Sequence, residues 1–519
     1  MRAICVFGLA LVLLLAGCQE KDETPELQRK LAEAEATNDW PVVVETATRL
    51  LEKNPDDMDV LQSRATAYVF LKQPDRALPD LDRLCEARTQ DADLFLARAD
   101  IYFDREDYEN ARKDYTVVAQ LSPRQAKVHA NLAAIYMFEG NSAEAVNSFN
   151  RAIELDPYDA VNRALRAYAN IDCWNYDDAL KDINLLMEVA GDTAEVMGAH
   201  GRLLIHYRRY TRAEAELQKA VKIDPDYSDG LFDLAWVTAI LARHDEADKH
   251  ADTFDAAFAK ESEAFRKYHA GRPAMLRATL AVLRGDKDKA LPAIEKAAGE
   301  GAEPWTIEEL YSQFWLRAGD YDKALEHAER FIKAAPENPY AYEAKARALM
   351  RRQKWGEARE AVGKAMKMRP EVAEFAEVSG MCALKLGQDA PARADFSVAA
   401  TCNGSSVWAF AGLAVMRQKQ ARKEDGARSA NEAIDLAEYE IRDWKQRQAE
   451  AEYDAAVAYA ARAIQWTEER QQKMRDFTTA FDHLKKAMDA GYSDREWIKI
   501  DPLIDSLRDD ERFKEILGE

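Results

Sequence analysis

A chain of 519 residues is longer than one hydrophobic core usually organises, so it holds either several globular domains or a repeat array whose core grows lengthwise. Ala, Leu, Glu, Lys and Arg are abundant and Gly (21) and Pro (16) sparse, which suits helices joined by tight turns, and no alternating strand-like segment stands out. A formal net charge of -21 repels phosphate backbones and argues against nucleic-acid binding, and its plain consequence is solubility.

The amino terminus opens with Met1-Arg2 and an apolar run from Ile4 to Leu15, then turns polar at Gln19-Glu20-Lys21-Asp22-Glu23. The run is too short to span a bilayer comfortably and fits a cleavable export signal. Leu15-Ala16-Gly17-Cys18 resembles the lipobox of bacterial lipoproteins. That resemblance implies that residues 1–17 are a signal peptide, that Cys18 is acylated on its thiol and its new amino group, and that 18–23 form a lipidated linker. Several acyl chains, at about 0.8 kcal/mol per buried methylene, make an anchor that does not readily leave the membrane. In enteric bacteria an aspartate after the cysteine retains lipoproteins at the inner membrane. Gln19 stands there instead, so the resemblance implies a bacterial envelope protein on the outer membrane, facing the periplasm.

Beyond Glu23 the chain repeats itself every 34 residues. With Ala126 as position 1, the residues Leu132, Ala133, Tyr136, Ala145, Phe149, Ala152 and Pro157 occupy positions 7, 8, 11, 20, 24, 27 and 32. This pattern resembles that of the tetratricopeptide-repeat (TPR) family, although His129 stands where the family most often has Trp. The resemblance implies one antiparallel helix pair per repeat and an all-α fold, an α-solenoid or superhelix of helix pairs. Starts at Thr24, Met58, Ala92, Ala126, Ala160, Ala194 and Ser228 need no gap and give seven repeats over 24–261. After nine further residues, Ser262 to Ala270, the frame resumes at Gly271, Trp305, Pro339, Ala373 and Val407, giving five more over 271–440 and twelve in all.

Crowded positions test the frame. Position 8, where the two helices of a repeat approach, is small in every repeat except the first, which has Leu31. Position 20 is Ala in ten repeats, from Ala77 to Ala392, and enlarging either site should cost about 1–3 kcal/mol by overpacking. Pro55, Pro123, Pro157, Pro225, Pro336 and Pro370 all fall at position 32, where proline ends the second helix.

Position 7 is Arg64, Arg98 and Arg166 in three repeats whose position 23 is Asp80, Asp114 and Asp182. Sixteen residues apart, these groups face each other across a helix pair, so three ion pairs are expected, with His200 and Glu216 as a weaker fourth. Arg277 has Ala293 where the acid would stand. Cys85, Cys173, Cys382 and Cys402 lie too far apart in the frame for disulfides and are expected to be small buried apolar residues.

From His244 to Ala270 there is no Gly or Pro, which predicts an elongated second helix and a bend where the frame slips. After Gly426 neither residue recurs until Gly491, so long helices are expected over 441–519, partly solvated around Asp443-Trp444-Lys445. A last repeat-like helix, Phe477 to Ala490, leads into a terminal segment that resembles the cap of other TPR proteins and should cover the last exposed helix face.

Catalytic constellations are missing from the sequence. His244 and His250 are six apart, on different helix faces, so no zinc site is expected, and no Walker loop, dinucleotide fingerprint or nucleophile elbow occurs. No cofactor, metal or enzymatic activity is therefore expected. The TPR resemblance implies binding of protein or peptide partners along the concave face, lined by positions 2, 5, 9, 12 and 13 of each first helix. Those positions are acidic around Asp93, Asp100 and Asp104. They turn apolar at Met137, Phe138, Tyr168, Ile171, Phe232, Trp236, Ile240 and Met275, and more basic at Arg317, Arg347, Arg351 and Lys385. The apolar stretch suggests a groove with Phe232 and Trp236 as anchors, or a superhelix curled tightly enough to pack these side chains on one another. A non-catalytic, membrane-anchored scaffold for cell-envelope assembly or remodelling is the leading expectation. The alternative is a lipoprotein subunit of a polysaccharide or pilus secretion apparatus.

Overall fold

A computed structural model describes residues 23–207, 209–402, 406–420, 423–443, 448–465, 469–492 and 494–518. Cys18 and the segment before it lie outside the described residues, as do Trp444 and Lys445. The described chain is helical, without a strand, and forms two compact units, one ending at Ala169 and one running from Asn170 to Glu519.

The first four repeats contribute α1 (Thr24–Ala36), α2 (Trp40–Lys53), α3 (Met58–Phe70), α4 (Pro74–Ala87), α5 (Ala92–Asp104), α6 (Tyr108–Leu121), α7 (Ala126–Phe138) and α8 (Ser142–Leu155). The unit boundary falls within α9 (Ala160–Asp172), after which come α10 (Tyr176–Val189), α11 (Ala194–His206), α12 (Tyr210–Ile223), α13 (Ser228–Ile240) and α14 (His244–Phe258). A short α15 (Glu263–Tyr268) precedes α16 (Arg272–Arg284), α17 (Lys287–Gly299), α18 (Pro304–Ala318), α19 (Tyr321–Ala334), α20 (Pro339–Arg351), α21 (Trp355–Met368), α22 (Ala373–Lys385), α23 (Asp389–Cys402) and α24 (Val407–Lys419). The carboxy-terminal part holds α25 (Lys423–Asp443), α26 (Gln448–Ala463), α27 (Arg470–Asp489), α28 (Arg495–Ile500), a 3-10 helix (Pro502–Leu507) and α29 (Glu511–Leu517).

Helix ends follow the 34-residue frame for local reasons. The residue at position 15 is left-handed in each turn described, from Asn38 (φ 57°) and Trp174 (φ 64°) to Gly319 (φ 86°), which stops the first helix. Position 16 then often caps the second helix: Asp39, Asp107, Asn141, Asp286 and Asp320 each accept a backbone N–H three residues on, worth about 1 kcal/mol apiece. In two repeats position 8 is glycine, and there even a Cβ would collide. A Cβ on Gly201 would lie 2.6 Å from Leu217 Cγ, and one on Gly380 2.9 Å from Phe396 Cε1, both partners being position 24 of the same repeat.

The expected elongated helix over His244–Ala270 is corrected. α14 ends at Phe258, and Ser262 caps a separate short helix by accepting from Phe265 N at 3.2 Å. A serine side chain suffices to restart a helix without any Gly or Pro to mark the break.

Within the second unit the superhelix closes on itself. The turn between α9 and α10 places Trp174 6.3 Å from Trp305 and 6.1 Å from Tyr340, centroid to centroid. The Arg369 guanidinium, at the end of α21, lies 3.7 Å over the ring of Tyr176. Arg369 and Tyr176 are both buried; Arg369 Nε donates to Glu371, while its two terminal nitrogens and the Tyr176 hydroxyl have no hydrogen-bond partner among the described residues.

The terminal segment also differs from a plain end cover. Trp497, Leu503, Ile504, Leu507 and Phe513 are buried in one core with residues of α20, α22 and α24. The tail thus folds back across the first helices of the last three repeats. Of the four cysteines described, Cys85 and Cys382 are buried, but Cys173 and Cys402 are half-exposed, because they sit at or next to first- and second-helix ends where packing thins.

Candidate partner-binding surface

The arginines at position 7 act as rungs. Arg64 donates from Nε and Nη2 to the two oxygens of Asp80 at 2.8 and 2.7 Å, and Arg98 likewise to Asp114 at 2.8 and 2.9 Å. Each arginine also reaches sixteen residues backward to position 25 of the preceding repeat: Arg64 to Thr48 (3.5 Å), Arg98 to Asp82 (2.9 Å) and Arg166 to Asn150 (2.9 Å). One side chain therefore ties its own helix pair and the pair before it. Arg166 and Asp182 belong to different units, and their pairing stays an expectation. His200 Nδ1 and Glu216 Oε2 stand 3.7 Å apart, and Arg277 finds Asp252 and Asp255 in α14 instead of the acid its own repeat lacks.

Groove positions of the first unit are largely engaged. Asp100 accepts from Tyr115 Oη at 2.6 Å and from Lys127 Nζ at 2.9 Å, so one carboxylate of the acidic stretch is paired within the array. Phe138 stacks on Tyr108 at 4.7 Å, and Met137 packs against the core formed by Ala133, Ala145 and Phe149. Tyr168 is 7% exposed and, in the second unit, Ile171 is 0% exposed, so both are corrected from groove lining to core. Position 12 rotates inward where neighbouring repeats pack tightly, as Ile205, Ala239 and Val282 show by the same burial.

Phe232, Trp236, Ile240 and Met275 remain half-exposed in the second unit. Phe232 meets Phe254 edge-on at 5.4 Å and carries the Arg272 guanidinium 4.9 Å over its face. Trp236 packs against the buried cluster that contains Leu204, Leu217 and Val237, and Met275 against the one that contains Ala278 and Ile294. A charge network missing from the sequence reading borders them. Arg202 Nε donates to Asp233 at 2.7 Å, and Arg272 Nη2 donates to Asp229 at 2.6 Å. Burial opposes ionisation of Asp229, but the Arg272 and Arg202 guanidinia outweigh it and hold its carboxyl well below the usual range. Asp233 moves the other way, since burial exceeds what Arg202 returns. Asp229 and Arg272 both occupy position 2, of repeats separated by the nine-residue slip, and this shared position was the available signal.

The basic end expected at Arg347, Arg351 and Lys385 is not open. Arg347 pairs with Glu343 on its own helix, Arg351 Nη2 donates to Asp494 at 2.5 Å and lies 4.2 Å over Trp497, and Lys385 Nζ donates to Asp505 at 3.0 Å. Trp408 Nε1 donates to Asp454 at 2.8 Å. Burial lowers Lys385 to a pKa of about 8, with the nearby Arg508 adding to the effect. Groove positions of the last three repeats are thus occupied by the chain's own tail. Among the described residues no three His, Cys, Asp or Glu side chains gather as a metal site would, and no helix is long and apolar enough to cross a membrane.

Comparison with known families agrees with the helix-pair geometry. Tetratricopeptide-repeat families match residues 63–126, 126–159, 194–227, 275–339 and 315–383. The chain carries tetratricopeptide repeats. Human mitochondrial import receptor subunit TOM70 is 21% identical to this TPR chain over 270 residues, 49% of the chain and 42% of the relative, so the chain spans less than half of that protein. Among solved structures, the APC/C hetero-tetramer Cut9-Hcn1 is similar over 96% of both chains at 12% identity with a TM-score of 0.50, a likeness of fold. The TPR protein YrrB, at 21% identity, covers 36% of the chain with a TM-score of 0.32.

Proposed function

We propose that this TPR protein is a scaffold that binds partner proteins rather than transforming a substrate, held at the bacterial outer membrane by acyl chains on Cys18 and facing the periplasm. The observation that carries the binding reading is the half-exposed row Phe232, Trp236, Ile240 and Met275 beside the Arg202–Asp229–Arg272 network. Apolar side chains set among fixed charges favour a partner segment that buries an aromatic or aliphatic anchor while its polar atoms meet the arginines and aspartates. The likeness to an import receptor subunit supports recognition of polypeptides. Envelope assembly or remodelling follows as the process from the lipobox-like Leu15-Ala16-Gly17-Cys18.

Crosslinked pull-down from membranes tests the groove: Trp236→Ala should lose partners that the unchanged chain retains, and equal recovery would remove Trp236 from the site. Metabolic labelling with a palmitate analogue tests the anchor. Cys18→Ser should lose both label and membrane fraction, and a labelled, membrane-bound Cys18→Ser protein would end that part of the reading.

A further inference from the structure

The second-helix side of repeats 5 and 6 holds a cavity of about 580 Å³, between α10 and α12 and floored by α11. Its volume lies within the roughly 300–1,000 Å³ of specific ligand sites. Leu180, Leu203, Leu204 and Tyr207 form apolar walls, and Arg209 and Arg212 stand at the mouth. None of these residues occupies a groove position, although Leu204 belongs to the apolar cluster on which Trp236 packs.

Electrostatics distinguishes this place. The chain is strongly acidic, and most of its arginines meet a carboxylate, yet among the described residues neither Arg209 nor Arg212 has one. Behind the wall Arg369, already paired with Glu371, lies 5.9 Å from the centre of the Tyr207 ring and leaves the anion-selecting role to Arg209 and Arg212. Deeper in, His200 Nδ1 and Glu216 Oε2 stand 3.7 Å apart and each lacks a hydrogen-bond partner among the described residues, leaving room for one polar group to bridge them.

We propose that the cavity binds an acidic segment of a partner protein, with an Asp or Glu carboxylate on Arg209 and Arg212 and an adjacent leucine or phenylalanine on Leu203, Leu204 and Tyr207. Two guanidinia at one mouth select an anion, and the apolar floor selects a bulky neighbour. A fatty acid would press its tail on the His200–Glu216 pair and strip it of hydrogen bonds, whereas a peptide brings N–H and C=O groups that satisfy both atoms. This inference rests on the protein-binding reading and adds to it a second, charge-selective contact.

The test is fluorescence anisotropy of the mature full-length chain with a labelled, acetylated five-residue peptide of alternating aspartate and leucine. Controls are the counterpart with asparagine for aspartate, inorganic phosphate as competitor, and laurate as competitor. The acidic peptide should bind, should weaken as salt is raised, and should lose about tenfold in affinity in the exposed double variant Arg209→Ser/Arg212→Ser, with circular dichroism showing that variant folded. Undiminished binding by the variant, equal binding of the asparagine peptide, absence of binding, or displacement by laurate but not by excess unlabelled peptide would each overturn the proposal. Loss of binding on Trp236→Ala with retention in the arginine variant would also overturn it, by moving the peptide to the groove while the protein-binding reading stands.

Discussion

The Tyr340 hydroxyl donates to the backbone carbonyl of His206 at 3.0 Å, joining parts of the chain 134 residues apart. Around this bond Trp174, Tyr176, His206 and Tyr207 meet Trp305, Tyr340 and Arg369, so one superhelical turn of the second unit is closed by side chains at its edges. Solenoid repeats ordinarily touch only their neighbours, and this seam joins repeats that are not neighbours.

The seam should respond unequally to substitution. Trp174→Ala removes a large packed ring and is expected to cost about 3 kcal/mol in urea unfolding. Arg369→Met removes a buried guanidinium whose Nε donates to the half-exposed Glu371 but whose two terminal nitrogens have no partner among the described residues, and is expected to cost less than about 1 kcal/mol. A loss of several kcal/mol on Arg369→Met would show that the contacts to Glu371 and the Tyr176 ring outweigh the cost of burying the two terminal nitrogens.

Position 7 gives a second test. Arg98→Met leaves Asp114, 5% exposed, as an uncompensated buried carboxylate and should cost about 3–5 kcal/mol. The double change Arg98→Met/Asp114→Leu should recover much of that cost. Equal destabilisation by the single and double variants, measured from urea midpoints, would mean that the two groups act independently.

The folded-back tail makes a prediction about cooperativity. Truncation after Ala490 removes Trp497, which meets Trp408 at 6.2 Å, and the rest of the tail's share of the core that includes Met381 and Val415. Hydrogen exchange should then show the amides of α20, α22 and α24 losing protection together, while α11 and α13 keep theirs. Unchanged protection in the last three repeats would mean that the tail is an ornament on a self-sufficient array.

Acid sensitivity should centre on His269. Burial, helped by Arg272 and opposed by Asp229, lowers its pKa from 6.5 to about 4. With the folded value below the unfolded one, the unfolded chain binds more protons between these limits. The neutral imidazole's contribution is therefore complete above about pH 6.5 and is lost as pH falls towards 4. Allowing for partial solvent screening, the change is about 1–2 kcal/mol. His269→Asn should flatten the dependence of the urea midpoint over that window, and parallel profiles for the two proteins would assign the slope to other groups.

Much of the fold was legible because its constraints are local and periodic. Ala at positions 8 and 20 and Pro at position 32 set the helix starts, and the sixteen-residue spacing of Arg64 and Asp80 or Arg98 and Asp114 follows from the same geometry. The surface was less legible. Nothing periodic announces that Trp174, at a turn, will meet Tyr340, or that Arg351 and Lys385 will find Asp494 and Asp505 far downstream. The break at Ala259–Glu261 escaped notice because Ser262 caps the next helix without a Gly or Pro to betray it.

The tail has a consequence for how selective each stretch of groove can be. A partner seeking Arg351, Lys385 or Trp408 must outcompete a segment tethered to the same chain, at an effective concentration of roughly millimolar or more. Phe232 and Trp236 have no such internal rival among the described residues. One array therefore presents two thresholds for occupancy: a weak or scarce partner can settle in the middle of the second unit, and only a tight or abundant one can enter the end.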